Sequence, residues 1–293
     1  DLGGSIREPS AFCGIVGIKP TIGRVPYTGI QPQVIFRAIH VGPMARTVRD
    51  IALALSVLAG PDDQDPYALP VPVPDYLALD RPISSIKVGW SPRAGIPVEP
   101  EVQSAVEQAA RALAGMGVQV EPVEIPGLAD RDSGEISAIV YNAEAEFYAG
   151  PTVAGRENDL TEGIRRRFVG AGPRSLQEYL AASAEWEDLK KEVKEYFSRY
   201  DLFLCPTVPM PAFSHDQNEF NIEGHATSGR HALRATLPWD LTGSPAISLP
   251  CGWTSDGLPL AVQLVGRHFE EAILLRVAHA LEGCQEDRRH PPL

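Results

Sequence analysis

Apolar residues recur at helical spacing in five segments of the chain. The first helix is predicted to begin at about Thr47, a candidate N-cap, and to end at Gly60-Pro61. Its apolar residues, which we expect to form one packing surface, are Ile51, Leu53, Leu55 and Leu58. The same spacing predicts further helices at 101–116, 135–148, 175–200 and 270–281.

Short apolar or alternating runs fall between these helices. They predict β-strands at 86–90, 118–123, 202–205, 246–249 and 260–265. The proline-rich stretch 61–82 is typical of a long connecting loop. Alternation of strands and helices indicates an α/β fold in which helices surround a mixed β-sheet.

The charge of the chain limits its partners. The 293 residues contain 26 Lys and Arg against 38 Asp and Glu, which gives a net charge of −12. Coating of nucleic acid needs a basic surface, so we expect no nucleic-acid partner. The longest apolar stretches, 51–59 and 247–250, are much shorter than the roughly 20 residues of a membrane span. We therefore expect no membrane association.

The cysteines indicate a reducing compartment. The four residues are far apart and form no C-x-x-C pair; they are Cys13, Cys205, Cys251 and Cys284. Neither a zinc site nor a disulfide framework is predicted from this spacing. Four reduced thiols in a cytoplasmic protein is the simplest interpretation.

The turn Gly3-Gly4-Ser5 is the most informative local feature. Two glycines allow the backbone to approach a ligand closely and allow consecutive N–H groups to point into one concave site. Such a site suits an oxyanion, and Ser5 would lie where its hydroxyl could attack a carbonyl held there. An ordinary turn in which Ser5 caps a helix is the alternative that the tripeptide alone favours.

The Gly3-Gly4-Ser5 turn belongs to the first of several ordered sequence blocks that are spread over most of the chain. The first block is DLGGSIREPSAFCGIVGIKPT, residues 1–21, followed by Gly23-Arg24-Val25. Later blocks follow in order at 42–50, 205–207, 243–246, 250–252 and 257–266. Together they closely resemble the amidase signature family, and several ordered blocks are far more specific than one short motif. The resemblance implies the amidase signature fold.

The resemblance also implies roles for the turn. Ser5 matches the acylating serine of the family, and the backbone N–H groups of Leu2, Gly3, Gly4 and Ser5 match its oxyanion hole. The family uses a Ser–cis-Ser–Lys triad in which a neutral lysine receives a proton through a second serine. Both partners precede the nucleophile in the family. We therefore expect one domain, 1–293, that lacks its N-terminal part, with the cis-Ser and Lys supplied upstream of Asp1.

Three lysines are available as a substitute base, namely Lys19, Lys87 and Lys190, but nothing in the sequence brings any of them to Ser5. Lys19 matches a family position outside the triad. We expect it to pair or to extend its amine toward solvent at the edge of the fold.

A Ser-His-Asp site and a metal site are the rival hypotheses. Asp216 and Asp240 lie near some of the candidate histidines, which are His40, His215, His225, His231 and His268, but no G-x-S-x-G motif accompanies them. A metal site is conceivable at His215, His225 and His231 with Asp216 and Glu223, although the spacing matches no standard zinc pattern. We expect neither a metal nor an organic cofactor.

Three charged residues are candidates for other roles. Glu8 comes three residues after Ser5 and would share its helical face. There it would border the substrate pocket and favour a substrate with a cationic or hydrogen-bond-donating group. The alternative is that this carboxylate only stabilises a helix N-terminus. Arg7 would point away from Ser5 and form a structural ion pair. Arg167, in the run 165–168, is a candidate for binding a substrate carboxylate, as an arginine near this place does in the related amidotransferase A subunits.

The sequence thus predicts an amidase that hydrolyses the C–N bond of a linear carboxylic amide through an acyl-enzyme on Ser5. Its partners would be a small-molecule amide and either a second copy of the chain or a complementary N-terminal segment. The isolated piece would be inactive, because the cis-Ser and Lys belong to the missing upstream segment. Two alternatives stay open. One is the A subunit of a tRNA-dependent amidotransferase. The other is a non-catalytic fragment, or a degenerate binding or interaction protein, that keeps the fold without the triad.

Overall fold

The computed structural model describes residues 1–30, 36–162, 164–165 and 175–284. Its strands are β1 Val16–Lys19, β2 Met44–Ala45, β3 Lys87–Trp90, β4 Gln119–Pro122, β5 Leu202–Pro206, β6 Phe220–Ile222, β7 His225–Thr227, β8 Ala246–Trp253 and β9 Pro259–Gly266. Its α-helices are α1 Arg7–Cys13, α2 Val48–Leu58, α3 Pro100–Gly115, α4 Pro126–Asp130, α5 Ser133–Tyr148, α6 Gly150–Val153, α7 Leu176–Tyr196, α8 Leu237–Leu241 and α9 Glu271–Gly283.

Seven of these strands form one mixed sheet in the order β2-β1-β8-β9-β5-β3-β4. Neighbours from β2 to β5 are antiparallel, whereas β5, β3 and β4 are parallel. In register, Gly17 of β1 is opposite Ser248 of β8, although the two are about 230 positions apart in the chain. Strands β6 and β7 pair in a separate hairpin. The predicted α/β class with a mixed sheet is confirmed.

Alternation along the central strands builds two apolar cores, one on each face of the sheet. Leu202 and Leu204 of β5 pack in the core that also contains apolar residues of α2, α3 and α9. Phe203 and Cys205 pack in the core formed with α5, α7 and α8. Because side chains of a strand point alternately to opposite faces, this one strand contributes to both layers of helices.

The predicted helices and strands are all present, with ends displaced by a few residues. Thr47 caps α2 as expected, since its hydroxyl accepts a hydrogen bond from the backbone N–H of Asp50 at 3.1 Å. The predicted apolar surface of this helix was wrong in part. Ile51 and Leu55 are fully buried, whereas Leu53 and Leu58 are 54% and 42% exposed. Leu53 lies two residues from each buried residue, on the opposite side of a helix with 3.6 residues per turn.

Within the described ranges, no helix combines the length and the apolar character that a membrane span requires. The buried surfaces of the helices pack against the sheet and against one another.

We expect Leu55→Ala to lower the free energy of unfolding by about 2–5 kcal/mol, because it leaves a cavity in the core between α2 and the sheet. Leu53→Ala, on the same helix with the same chemistry, is expected to change it by no more than about 0.5 kcal/mol. Urea unfolding followed by circular dichroism measures both values. Equal losses in the two variants would contradict the burial of α2 described above.

Candidate active site

Ser5 lies in the turn that leads into helix α1. The turn occupies residues 3–6, and α1 begins at Arg7 and ends at Cys13, where Gly14 caps it in a left-handed conformation. Ser5 is exposed, whereas Gly4 before it and Ile6 after it are buried. The backbone thus presents one hydroxyl outward from a closely packed turn.

The backbone N–H groups of this turn divide into two sets. Those of Ile6 and Arg7 donate to Oδ2 of Asp1, at 3.0 and 3.3 Å. Among the hydrogen bonds of the described residues, none uses the N–H groups of Leu2, Gly3, Gly4 or Ser5. Those four donors are therefore available to a ligand beside the Ser5 hydroxyl.

Gly4 holds the turn in a conformation that other residues rarely adopt. Its φ is 140°, and a Cβ at this position would lie 2.6 Å from Oγ1 of Thr236. The Thr236 hydroxyl donates to the carbonyl of Gly3 and so fixes the turn. The glycine is required here both for its dihedral angles and for the close approach of Thr236.

Arg7 forms the structural ion pair that its position predicts. Its guanidinium is fully buried, with Nη2 lying 2.9 Å from Oδ1 of Asp1 and 2.7 Å from Oδ2 of Asp240. The side chain therefore points into the protein, away from the exposed hydroxyl of Ser5.

Glu8 lies beside Gly4, on the same side of the turn as Thr236. Its backbone N–H donates to the carbonyl of Gly4 at 2.7 Å, and a Cβ on Gly4 would lie 3.5 Å from Oε2 of Glu8. Burial raises the pKa of Glu8 from 4.5 to about 7, despite the lowering effect of Arg7. Among the described residues, the Glu8 carboxyl has neither an ion pair nor a side-chain hydrogen bond.

None of the three candidate lysines forms a hydrogen bond with Ser5 in the described part of the chain. Lys87 is next to Glu121, and Lys190 pairs with Glu187 on α7. Lys19 is fully buried, so the expectation that it lies at the edge of the fold was wrong. Its strand β1 is paired on both sides, by β2 and β8, and burial lowers the pKa of Lys19 well below its ordinary value.

One predicted histidine does meet a carboxylate. Nδ1 of His40 lies 3.4 Å from Oδ1 of Asp240, and both side chains are buried. Burial lowers the pKa of His40 well below its ordinary value, and the nearby Lys19 lowers it further. No hydrogen bond among the described residues joins His40 to Ser5, so the structure does not assemble a Ser-His-Asp triad.

Residues of the rival metal site make other contacts. Nε2 of His231 lies 2.9 Å from the carbonyl of Pro97, and Glu223 pairs with Arg93. In the ranges that the structure describes, no three His, Cys, Asp or Glu side chains are grouped to hold a metal ion. Arg167, the candidate for a substrate carboxylate, lies outside the described residues.

Two residues of the site carried no assigned role in the sequence. Thr236 fixes the turn, and Gln263 of β9 accepts a hydrogen bond from Nη1 of Arg7 at 3.2 Å. Gln263 was detectable in principle, because it is one polar residue within an apolar strand that the pattern predicts to be buried. No comparable signal distinguished Thr236.

Comparison with known proteins assigns this arrangement to a family. The family model described as Amidase matches residues 1–275, and the chain belongs to that family, the amidase signature proteins. The chain is 35% identical to the A subunit of glutamyl-tRNA(Gln) amidotransferase from Synechococcus sp. (strain RCC307), over all of this chain and 64% of that relative. The chain therefore spans just under two thirds of the length of the relatives it matches.

Solved structures agree with this assignment. A bacterial aryl acylamidase of the amidase signature family superposes with a TM-score of 0.82 at 27% identity, over 97% of this chain and 61% of the other. The 6-aminohexanoate cyclic dimer hydrolase in complex with substrate superposes with a TM-score of 0.81 at 29% identity, over 97% and 63%. Both support the amidase signature fold described above.

We expect Gly4→Ala to lower the free energy of unfolding by about 1–3 kcal/mol, because alanine is strained at a φ of 140° and its new methyl displaces Thr236. Gly115→Ala is the matched control, since a Cβ on Gly115 of α3 meets no atom within 4 Å. Urea unfolding measures both. A free energy of unfolding in the Gly4 variant equal to that of the unaltered protein would contradict the conformation given to this turn.

Proposed function

We propose that the protein is an amidase that cleaves a carboxylic amide C–N bond through an acyl-enzyme on Ser5. The observation that supports this most directly is the combination of an exposed Ser5 hydroxyl with backbone N–H groups that no described residue uses. Membership of the amidase signature family adds independent support.

In the proposed reaction, Oγ of Ser5 attacks the amide carbonyl carbon and its proton passes to a base. The carbonyl oxygen becomes an oxyanion, which the N–H groups of Leu2, Gly3, Gly4 and Ser5 stabilise. The C–N bond then breaks, and the leaving nitrogen takes up a proton and departs as ammonia or an amine. Water attacks the resulting ester, which releases the carboxylic acid and restores Ser5.

The base is proposed to be the lysine of a Ser–cis-Ser–Lys triad, contributed by a segment N-terminal to Asp1 in the full reading frame. This assignment rests on the family resemblance and on the contacts of the three candidate lysines. Lys19 is enclosed in the sheet, and Lys87 and Lys190 each lie beside a carboxylate that has no contact with the turn among the described residues. Finding a lysine and a Ser-Gly-rich stretch upstream would provide both missing groups.

A second candidate function is that of an A subunit of a tRNA-dependent amidotransferase. The A subunits of glutamyl-tRNA(Gln) amidotransferases, at 34–35% identity over the whole chain, favour it. Such a protein would form the same acyl-enzyme but would deliver the ammonia to a partner protein. Release of free ammonia without any partner protein distinguishes an independent amidase from this alternative.

The full reading-frame product is expected to gain the mass of one fluorophosphonate group in intact-protein mass spectrometry, because the probe traps an activated serine. Ser5→Ala should abolish the mass gain. Ser56→Ala, which removes an exposed hydroxyl bonded to the carbonyl of Leu53, should retain it. Absence of labelling in the unaltered protein would instead favour a non-catalytic member of the fold.

Glu8 is proposed to select amides that carry a cationic or hydrogen-bond-donating group near the scissile bond. Its carboxyl reaches the side of the turn next to Gly4 and, among the described residues, has no partner of its own. A pKa of about 7 means that this carboxyl gains its charge across the neutral pH range. When it is ionised, this carboxylate would stabilise a cationic substrate group beside the nucleophile more strongly than it would stabilise a neutral substrate group.

We expect the ratio of kcat/KM for a cationic amide to that for its neutral isostere to rise about tenfold as the pH passes upward through about 7. Glu8→Gln should make this ratio independent of pH, whereas Glu195→Gln, an exposed site on α7, should leave the rise intact. A pH-dependent ratio that persists in Glu8→Gln would contradict the assignment.

The same raised pKa has a consequence for stability. Folding favours the protonated form of Glu8, so its contribution is complete below pH 4.5 and is lost as the pH rises through about 7. Glu8→Gln should therefore become more stable relative to the unaltered protein over that interval, which urea unfolding at several pH values measures.

A further inference from the structure

The guanidinium of Arg7 links the Ser5 turn to elements far away in the sequence. Nε and Nη2 of Arg7 contact the Asp1 carboxylate at 3.2 and 2.9 Å, and Nη2 also contacts Asp240 of α8 at 2.7 Å. Nη1 donates to the carbonyl of Thr236 at 3.0 Å and to Gln263 of β9 at 3.2 Å. One fully buried side chain therefore joins the start of α1 to α8 and to the sheet.

The Asp1 carboxylate carries this linkage to the nucleophile. Its Oδ2 accepts hydrogen bonds from the backbone N–H groups of Ile6 and Arg7, the two residues directly after Ser5. A displacement of Arg7 would move this carboxylate and would release both N–H groups. The orientation of Ser5 and of the free donors before it thus depends on where Arg7 is held.

Asp240 is the second carboxylate that contacts Nη2 of Arg7, after Asp1. One of its oxygens contacts Arg7, and the other lies 3.4 Å from Nδ1 of His40. Nδ1 of His40 also lies 2.9 Å from the carbonyl of Ala38, which can only accept, so this nitrogen carries a proton even when the ring is neutral. That proton is hydrogen-bonded to Ala38, so among the described residues Oδ2 of Asp240 is hydrogen-bonded by Arg7 and Oδ1 has no hydrogen-bond partner.

A role in stability alone does not account for this arrangement. Replacing a buried ion pair by apolar residues of similar volume is often neutral or stabilising, because desolvation offsets the attraction between the charges. Such a pair constrains the geometry of its partners, since either partner left alone would be an uncompensated buried charge.

We propose that Asp240 is a positioning residue that holds the Ser5 turn in its reactive geometry through Arg7 and Asp1. The consequence for catalysis rests on the proposed acylation of Ser5, whereas the consequence for the conformation of the turn does not. The neutral ring of His40 packs against Oδ1 of Asp240. Lys19 is the other charged side chain that acts on this group, and it also lies within the buried interior.

The test uses the full reading frame with Asp240→Asn, which keeps the shape but removes the charge, and Asp240→Ala, which removes both. Asp65→Asn is the matched control. Asp65 is also buried, but its carboxylate accepts hydrogen bonds from the loop N–H groups of Tyr27 and Tyr67 instead of a guanidinium.

The first measurement is the limiting rate of Ser5 labelling by a fluorophosphonate at saturating probe, corrected for the folded fraction. We expect a fall of about a hundredfold in Asp240→Ala and a smaller one in Asp240→Asn, with the half-saturating probe concentration nearly unchanged, because a nucleophile displaced by about 1 Å loses rate more than binding. Asp65→Asn should label at the unaltered rate. Equal labelling rates per folded molecule in all variants would overturn the proposal.

The second measurement is hydrogen exchange of the peptide that spans residues 1–13, and it does not depend on any reaction. Faster exchange in both Asp240 variants, but not in Asp65→Asn, is the expected result, because the N–H groups of Ile6 and Arg7 lose their fixed acceptor. Unchanged exchange would overturn the positioning role. If the unaltered protein is not labelled by the probe, the proposed function fails, and the exchange result alone decides whether Asp240 positions the turn.

Discussion

The buried guanidinium of Arg7 is the contact on which the geometry of the candidate site depends. It brings together Asp1, Asp240 and Gln263, which come from the start of the described chain, a short helix and a central strand. A planar side chain with five donors suits such a junction, since it fixes several acceptors in one plane. The apolar cores on the two faces of the sheet bring these elements together. The polar contacts of Arg7 then fix their detailed relative positions at the candidate site.

Much of the fold was predictable because the elements that form it have strong local signals. Helices α3 and α7 are long and periodic, Thr47 caps α2 as its residue type favours, and β9 is an apolar run bounded by turns. The Ser5 turn was identified because its residues belong to a long ordered resemblance. In each case the information needed is contiguous in the sequence.

The remaining features arise from contacts between distant residues. Strand β1 has four residues, all buried, so it shows no alternation that would reveal a strand or place Lys19 in the interior. The contact of His40 with Asp240 joins residues 200 positions apart, and no local pattern predicts it. The exposure of Leu53 was misjudged because an apolar residue type does not by itself specify which side of a helix it occupies.

The pairing of β1 with β8 also bears on how the chain acquires its structure during synthesis. Gly17 meets Ser248 across the sheet, so the β8 edge of β1 must wait for about 230 further residues, or roughly 10 to 50 s of translation, before its partner strand exists. During that interval the segment that carries the Ser5 turn has beside it an apolar strand that can pair on one edge only, with β2. A nascent chain of this topology is therefore exposed to aggregation until β8 has emerged, and its yield in the cell should depend on chaperones as well as on final stability.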